Sequence, residues 1–529
     1  VKKFVAALAV AGIGVGTMAI APSATAASAS DFDPKPISWG ACTRPSLVKA
    51  GAECGFLEVP LDYAKPGGEK ISIAVSRVKH KSAQSQGIMV VNPGGPGGSG
   101  LGLSTLGQYV PKGAGLEYDW IGFDPRGVGE SKPSLTCDGN YASYNRPQYV
   151  PTTRAIEKTW LDKAKGYAKA CAKNGAILDH IKTIDVAKDV DSLREALGEK
   201  QINYYGFSYG TYLGQVYSSL YPQNVRRMVF DGTVDPRDVW YQANLNQDIA
   251  FDKNIKTYFG WIAKYDDVYH LGKTASAVEK LWYAEQKKLY DKPAGGVIGG
   301  SEWTDIFLQA GYYVFGWEDI ANAFSGWVHK GDWQTLKGLY DDSNPPGQDN
   351  GYAVYAAVQC TDVAWPQNWN RWKFDNWITH FRAPFETWGN AWFNAPCLNW
   401  PAKPGKPVEI DGRKVPGILL INEENDAATP YPGSLEVRKR YPNSSLISAP
   451  GGTTHSGSLS GVSCVDDKIA DYLLTGKLPV RKPGNGSDVQ CSPVPQPVPD
   501  GASATAKKSD VPSSVAEVKK EALAQALPF

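Results

Sequence analysis

Short apolar runs separated by helical periodicity constrain this chain more than any other feature. The runs 71–78, 87–91, 120–123, 202–205, 227–230, 417–421 and 445–449 are of strand length and mostly apolar. Between them Val186, Val190, Leu193 and Leu197 recur at helical spacing, and Gly198 supplies a stop. Strands alternating with helices predict an α/β fold with a mostly parallel sheet covered on both faces. The stretch 237–404 breaks the alternation. It is rich in Trp and Tyr, and its patterns, such as 276–288 and 317–328, are helical. The expected organisation is a sheet core at 27–236, a helical cap inserted at 237–404, and the rest of the core at 405–492. The aromatic density of the insertion reads as a packed helical core in preference to a carbohydrate-binding surface. Residues up to about Leu61 read as a loop-rich lead-in.

The two ends differ from the middle. The first 26 residues place Lys2 and Lys3 before an uncharged stretch of small residues that ends at Ala24-Thr25-Ala26, the pattern of an export signal with its cleavage site. The competing reading is a retained membrane anchor. Residues 493–529 are rich in Pro, Ser, Ala and Lys, which predicts a mobile tail with a short helix at 514–527. With 42% hydrophobic and 21% charged residues, the rest has the material for a core. The formal charge is +1, and loss of Lys2 and Lys3 makes it −1. Neither value, nor any basic stripe, serves a protein that must displace counterions from nucleic-acid phosphates.

Eight cysteines behind an export signal predict disulfides. Local spacing pairs Cys42 with Cys54, Cys137 with Cys171, Cys360 with Cys397, and Cys464 with Cys491. No paired-histidine or H-E-x-x-H spacing points to a metal, and no cofactor motif is present.

GFSYGTYLG at 206–214 follows a strand-like run and opens a helix-compatible one, so Ser208 falls on a strand-to-helix turn. A nucleophilic serine held on such a turn needs flanking residues without side chains, which Gly206 and Gly210 supply. Its hydroxyl needs a base. Of His80, His180, His270, His329, His380 and His455, only His455 follows the resumed sheet, in the glycine-rich, flexible-looking loop GGTTHSG at 451–457. The acid that orients it should follow the strand 417–421. Asp426 is favoured for the Thr429-Pro430 turn beyond it, with Glu423 and Glu424 as competitors. The loop NPGGPGGSG at 92–100 can offer N–H donors to an oxyanion. Pro93 and Pro96 have none, so Gly95 is the candidate, with Tyr209, the residue after the nucleophile, as the second donor.

These motifs, in this order, resemble those of the secreted bacterial tripeptidyl aminopeptidases, relatives of prolyl iminopeptidase among the α/β-hydrolases. The resemblance runs from about Trp39 to Cys491 and includes IGFDPRGVGES at 121–131, DGTVDP at 231–236, QCTD at 359–362 and DAATP at 426–430. It implies an α/β-hydrolase fold with a helical cap, the triad Ser208, Asp426 and His455, and release of short peptides, typically tripeptides, from free N-termini of peptides or proteins. Such an exopeptidase must hold the substrate's ammonium group, and a carboxylate in or below the cap is the natural partner. Glu318, Asp319 and Asp362 are the candidates; the sequence does not choose among them, and a structural role is the stronger reading for each. A secreted, extracellular monomer without stable membrane association is expected.

Prolyl aminopeptidase, serine carboxypeptidase and secreted esterase are the alternatives on the same machinery. The carboxypeptidases carry a cysteine in the donor loop where Gly98-Ser99 stands here. A glycan-binding protein that keeps the fold without catalysis would be expected to have lost part of the triad.

Overall fold

Strand residues that alternate between two apolar surroundings require helices on both sides, and the computed structural model, which describes residues 32–502, has that arrangement. Its strands are β1 (Gly40–Ala41), β2 (Glu53–Pro60), β3 (Lys70–Val78), β4 (Ile88–Asn92), β5 (Asp119–Phe123), β6 (Ile202–Phe207), β7 (Val225–Asp231), β8 (Ile418–Glu423), β9 (Ser445–Ala449) and β10 (Val489–Gln490). They form one sheet in the order β1-β2-β3-β5-β4-β6-β7-β8-β9-β10. Pairing is antiparallel from β1 through β3 to β5 and parallel from there on. Along the central strands Val90, Tyr204, Phe230 and Leu420 point to one face, where they meet Val190, Leu193, Leu213 and Val216 of the helices Thr183–Ala196 and Tyr209–Leu220. Met89, Tyr205, Val229 and Leu419 point to the other, against Leu103, Leu106, Ile469 and Leu473. This period of two on a doubly covered sheet explains why the runs read as continuously apolar.

Between β7 and β8 the chain runs through helices from Tyr241–Lys264 to Thr387–Asn394. Trp282, Trp303 and Trp317 are fully enclosed there, packed with Phe307 and Phe324. These three tryptophans therefore build the interior of the first part of the insertion. Later helices depart from this group: Asn350–Asp362 packs its Tyr352, Val354 and Val358, and Trp369–His380 its Trp372, into the sheet's own core.

All four disulfides join the cysteines that spacing pairs, Cys42–Cys54, Cys137–Cys171, Cys360–Cys397 and Cys464–Cys491. No helix among the described residues is long and apolar enough to cross a membrane. The export signal at 1–26 and the helix at 514–527 lie outside the described residues.

Three regions differ from expectation. The lead-in contains β1 and β2, and β2 buries Leu57 and Val59. Its alternation is interrupted by Gly55, where a Cβ would come within 2.7 Å of Ile37 and Ser38, so the glycine that hides the strand is required by the segment crossing it. The start of the tail, 493–502, is seated on the insertion, with Val494 buried among the insertion's apolar residues. The loop 451–457, which its glycines make look flexible, is buried from Gly452 to Ser456.

Below the sheet, Arg126 and Asp189 form an enclosed ion pair, with Nε and Nη2 donating at 2.7 and 2.6 Å. Arg126 also donates to the carbonyls of Leu61 and His180, and Tyr63 donates to Asp189. Removing one partner leaves a buried charge uncompensated. Arg126→Ala is therefore expected to cost about 3–5 kcal/mol, read from urea unfolding with the disulfides intact.

Candidate active site

Ser208 has φ 55° and ψ −128°, a conformation that costs on the order of 1–3 kcal/mol and persists only when its surroundings enforce it. Its N–H donates to Asp231 O at 3.0 Å, and the helix Tyr209–Leu220 starts immediately after it. The enforcement is steric on both flanks. A Cβ at Gly206 would lie 2.6 Å from Gly210 O, and one at Gly210 would lie 2.6 Å from Asn92 O. Asn92 ends β4 and accepts the N–H of Gly94 on its side-chain oxygen at 3.0 Å, which fixes the start of the donor loop against the serine turn. Gly95, Ser208 and Tyr209 line one cavity. The N–H of Tyr209 belongs to the first turn of its helix, where backbone donors have no intrahelical acceptor and the helix dipole favours negative charge. The phenol of Tyr209 is occupied elsewhere, 2.7 Å from Thr183 Oγ1.

Asp426 lies in the loop after β8 and is enclosed. Its oxygens are 2.8 and 3.0 Å from His455 Nδ1, and they also accept the N–H groups of Ala428 and Thr429 and the Thr429 hydroxyl. Two carboxylate oxygens facing Nδ1 require a proton there. That leaves the lone pair on Nε2, which is buried and has no hydrogen-bond partner among the described residues. The backbone N–H of His455 donates to Tyr312 O of the insertion at 2.8 Å. The carbonyl of Asp231 links the two halves: it accepts the Ser208 N–H and, at 3.4 Å, the hydroxyl of Ser456. The competing acids face other partners. Glu424 accepts from Ser448 Oγ, and Glu423 accepts the N–H of Thr454.

The cavity beside Ser208 has a volume of about 370 Å³, within the range of small-ligand clefts. Its walls include Tyr149, Phe251, Leu308, Tyr312, Tyr355 and Phe393, and its polar lining includes Asn244, Asp305, Glu386 and Asn390. None of Glu318, Asp319 and Asp362 lines it, which corrects the expectation for the ammonium partner. Glu318 accepts the N–H of Asp500, and both Glu318 and Asp319 sit in the first turn of the helix Trp317–Lys330. Asp362 braces the floor, accepting the N–H and hydroxyl of Thr183 at 2.6 Å each and the Trp240 indole N–H. Burial pushes its carboxyl up to about 6.

The cavity's exceptional acid is Glu386. It is only 7% exposed, and its carboxylate has no hydrogen bond or ion pair among the described residues. Burial and the carboxylates of Asp248, Asp305 and Asp252 hold it well above the usual range. Burial also pushes Asp248 up to about 8, partly offset by the hydrogen bond it accepts from Asn390 at 2.8 Å. Asp305 differs because Arg146 pairs with it and Tyr149 donates to it. Sequence reasoning missed Glu386 and Asp248. The only signal was an acid set between Phe385 and Trp388 in an aromatic stretch.

A serine on a strand-to-helix turn of a largely parallel sheet is the arrangement of the α/β-hydrolases, and a family model described as alpha/beta hydrolase fold matches residues 87–336. A second, described as TAP-like protein, matches residues 383–491. The chain is 41% identical over 478 residues to the tripeptidyl aminopeptidase of Streptomyces lividans, covering 88% of each. It is 30% identical over 482 residues to serine protease Hip1 of Mycobacterium tuberculosis, covering 84% of this chain and 90% of that one. It is 28% identical over 468 residues to carboxylesterase B of the same species, covering 84% and 88%. The chain belongs to the tripeptidyl aminopeptidase family of α/β-hydrolases, and it is a serine peptidase on that fold.

Proposed function

We propose that this protein is an exported exopeptidase that releases short peptides, tripeptides in the first place, from free N-termini. The observation that carries the reading is Glu386, a buried carboxylate without a partner in the same cavity as Ser208. A carboxylate left unpaired in such a place is costly unless a cation arrives. The substrate's α-ammonium is that cation, with Asp248 behind it as the second negative charge. Distance from this anchor to the serine would then set the length of the peptide removed.

In this reading Ser208 Oγ attacks the scissile carbonyl while its proton passes to His455 Nε2. The charge developing on the carbonyl oxygen is met by the N–H groups of Gly95 and Tyr209. Collapse of the tetrahedral intermediate breaks the C–N bond, and His455 returns its proton to the leaving amine. Water, deprotonated by the same nitrogen, then cleaves the acyl-serine ester. Asp426 stabilises the imidazolium formed in each half. The four disulfides support an oxidising compartment and hence export.

The test compares a tripeptide chromogenic amide with its N-acetylated form. The free amine is expected to be cleaved at least about 10²-fold faster in kcat/KM, the equivalent of losing one buried charge-assisted contact. Equal rates on the two would exclude the exopeptidase reading.

A further inference from the structure

The acid that ends β8 is not part of the triad, yet it touches one triad member and the neighbour of another. Glu423 is enclosed at 6% exposure, and no basic side chain pairs with it among the described residues. Its two oxygens are divided between separate segments. Oε2 accepts the N–H of Thr454, the residue before His455, at 2.6 Å; Oε1 accepts the N–H of Val494 at 2.7 Å. Its own carbonyl accepts the N–H of Asp426 at 3.1 Å.

The loop that carries His455 is built around this carboxylate. A Cβ at Gly452 would fall 2.5 Å from Glu423 Oε2, and one at Gly457 would fall 3.4 Å from Oε1 and 3.1 Å from Val494 Cγ2. Gly452 and Gly457 thus leave room for Glu423, and flexibility is not what they provide. The second segment is the proline-alternating strap after the Cys464–Cys491 bridge. Prolines at 493, 495, 497 and 499 leave N–H groups only on the residues between them. The strap crosses onto the insertion, where Val494 is buried, Pro497 O accepts the Trp261 indole N–H at 2.9 Å, and the Asp500 N–H donates to Glu318 at 3.0 Å.

We infer that Glu423 is a positioning residue: it holds the His455 loop against the C-terminal strap, so that turnover depends on the strap being seated on the cap. The chemistry favours a carboxylate over any amide. Both oxygens must accept, whereas glutamine would turn an NH₂ group toward one of the two backbone donors. Burial and the carboxylates of Asp426 and Asp231 push this acid up to about 8, while the two N–H bonds pull it down. The inference rests on His455 being the catalytic base.

The test uses full-length Glu423→Gln, Val494→Pro and Val494→Ala, with Ser208→Ala and His455→Ala as controls. Rates of the Glu423 and Val494 variants are expressed per site titrated to completion with a fluorophosphonate, and those of the two controls per folded protein measured by circular dichroism, so that loss of folded protein does not count. Glu423→Gln is expected to lower kcat about 10- to 100-fold with KM within about twofold, the range produced by displacing a catalytic group by an ångström or less. Val494→Pro, which removes the donor, should fall in the same direction. Val494→Ala, which keeps it, should stay within about twofold of wild type. The Glu423→Gln/Val494→Pro double variant should be no worse than its poorer parent, because both cut one linkage. Wild-type kcat in Glu423→Gln, or a Val494→Pro enzyme indistinguishable from Val494→Ala, would overturn the inference. Residual full activity in His455→Ala would instead strike at the catalytic reading beneath it.

Discussion

Ser208→Ala is expected to lower kcat/KM on a tripeptide amide by about 10⁵- to 10⁶-fold, the loss typical when a serine nucleophile is removed and only donor loop and binding remain. Labelling by a fluorophosphonate should vanish with it. Stability should hardly change. Alanine keeps the Cβ, so the strain of φ 55° is the same in both proteins. A variant that lost activity and folding together would point to a structural role for the turn. One that kept its activity would remove Ser208 from the chemistry altogether.

Glu386→Gln is expected to reduce kcat/KM for free N-termini by about 10²- to 10³-fold, corresponding to roughly 3–4 kcal/mol for a desolvated charge pair. Cleavage of the acetylated substrate, already slow, should be unaffected, so the two substrates converge. The fold should be at least as stable as wild type, since a buried carboxylate without a cation is being replaced by a neutral isostere. The pH dependence has a definite sign. Burial holds both Glu386 and Asp248 above the ordinary carboxylate range, helped at Glu386 by neighbouring carboxylates, so the ionised form that binds an ammonium is lost as pH falls. KM for the free peptide should therefore fall with rising pH until the substrate's own amine loses its proton at about pH 8. Glu386→Gln should flatten that profile, which steady-state kinetics across the pH range would measure.

The parts of the fold that were legible in the sequence are those governed by short-range pattern. The strands around the nucleophile are apolar on both faces, so 202–205 and 445–449 announce themselves. The order of Ser208, Asp426 and His455 follows from chain direction on a parallel sheet. β2 was hidden because Gly55 answers to a segment that sequence reading cannot place beside it. Among the acids after β8, spacing ranks Glu423, Glu424 and Asp426 nearly alike, and only the side-chain reach to Nδ1 separates them. The proposed ammonium anchor was illegible for a deeper reason. Glu386 precedes the helix Thr387–Asn394 and Asp248 lies in Tyr241–Lys264, far off in sequence, and nothing local distinguishes a buried acid in an aromatic stretch from an exposed one. Proline alternation at 493–499 read as looseness, although the N–H it spares at Val494 is bonded.

The sheet order also fixes when this peptidase can become active. β7 and β8 lie side by side, yet the whole insertion separates them in sequence, and Asp426 and His455 arrive only with the final fifth of the chain. On the proposed triad, a polypeptide interrupted between the Ser208 turn and β8 carries the nucleophile and the NPGGPGGSG loop but lacks Asp426 and His455. Molecules that end before β8 would therefore lack hydrolytic activity, which would begin only once β8, β9 and the loops after them have docked.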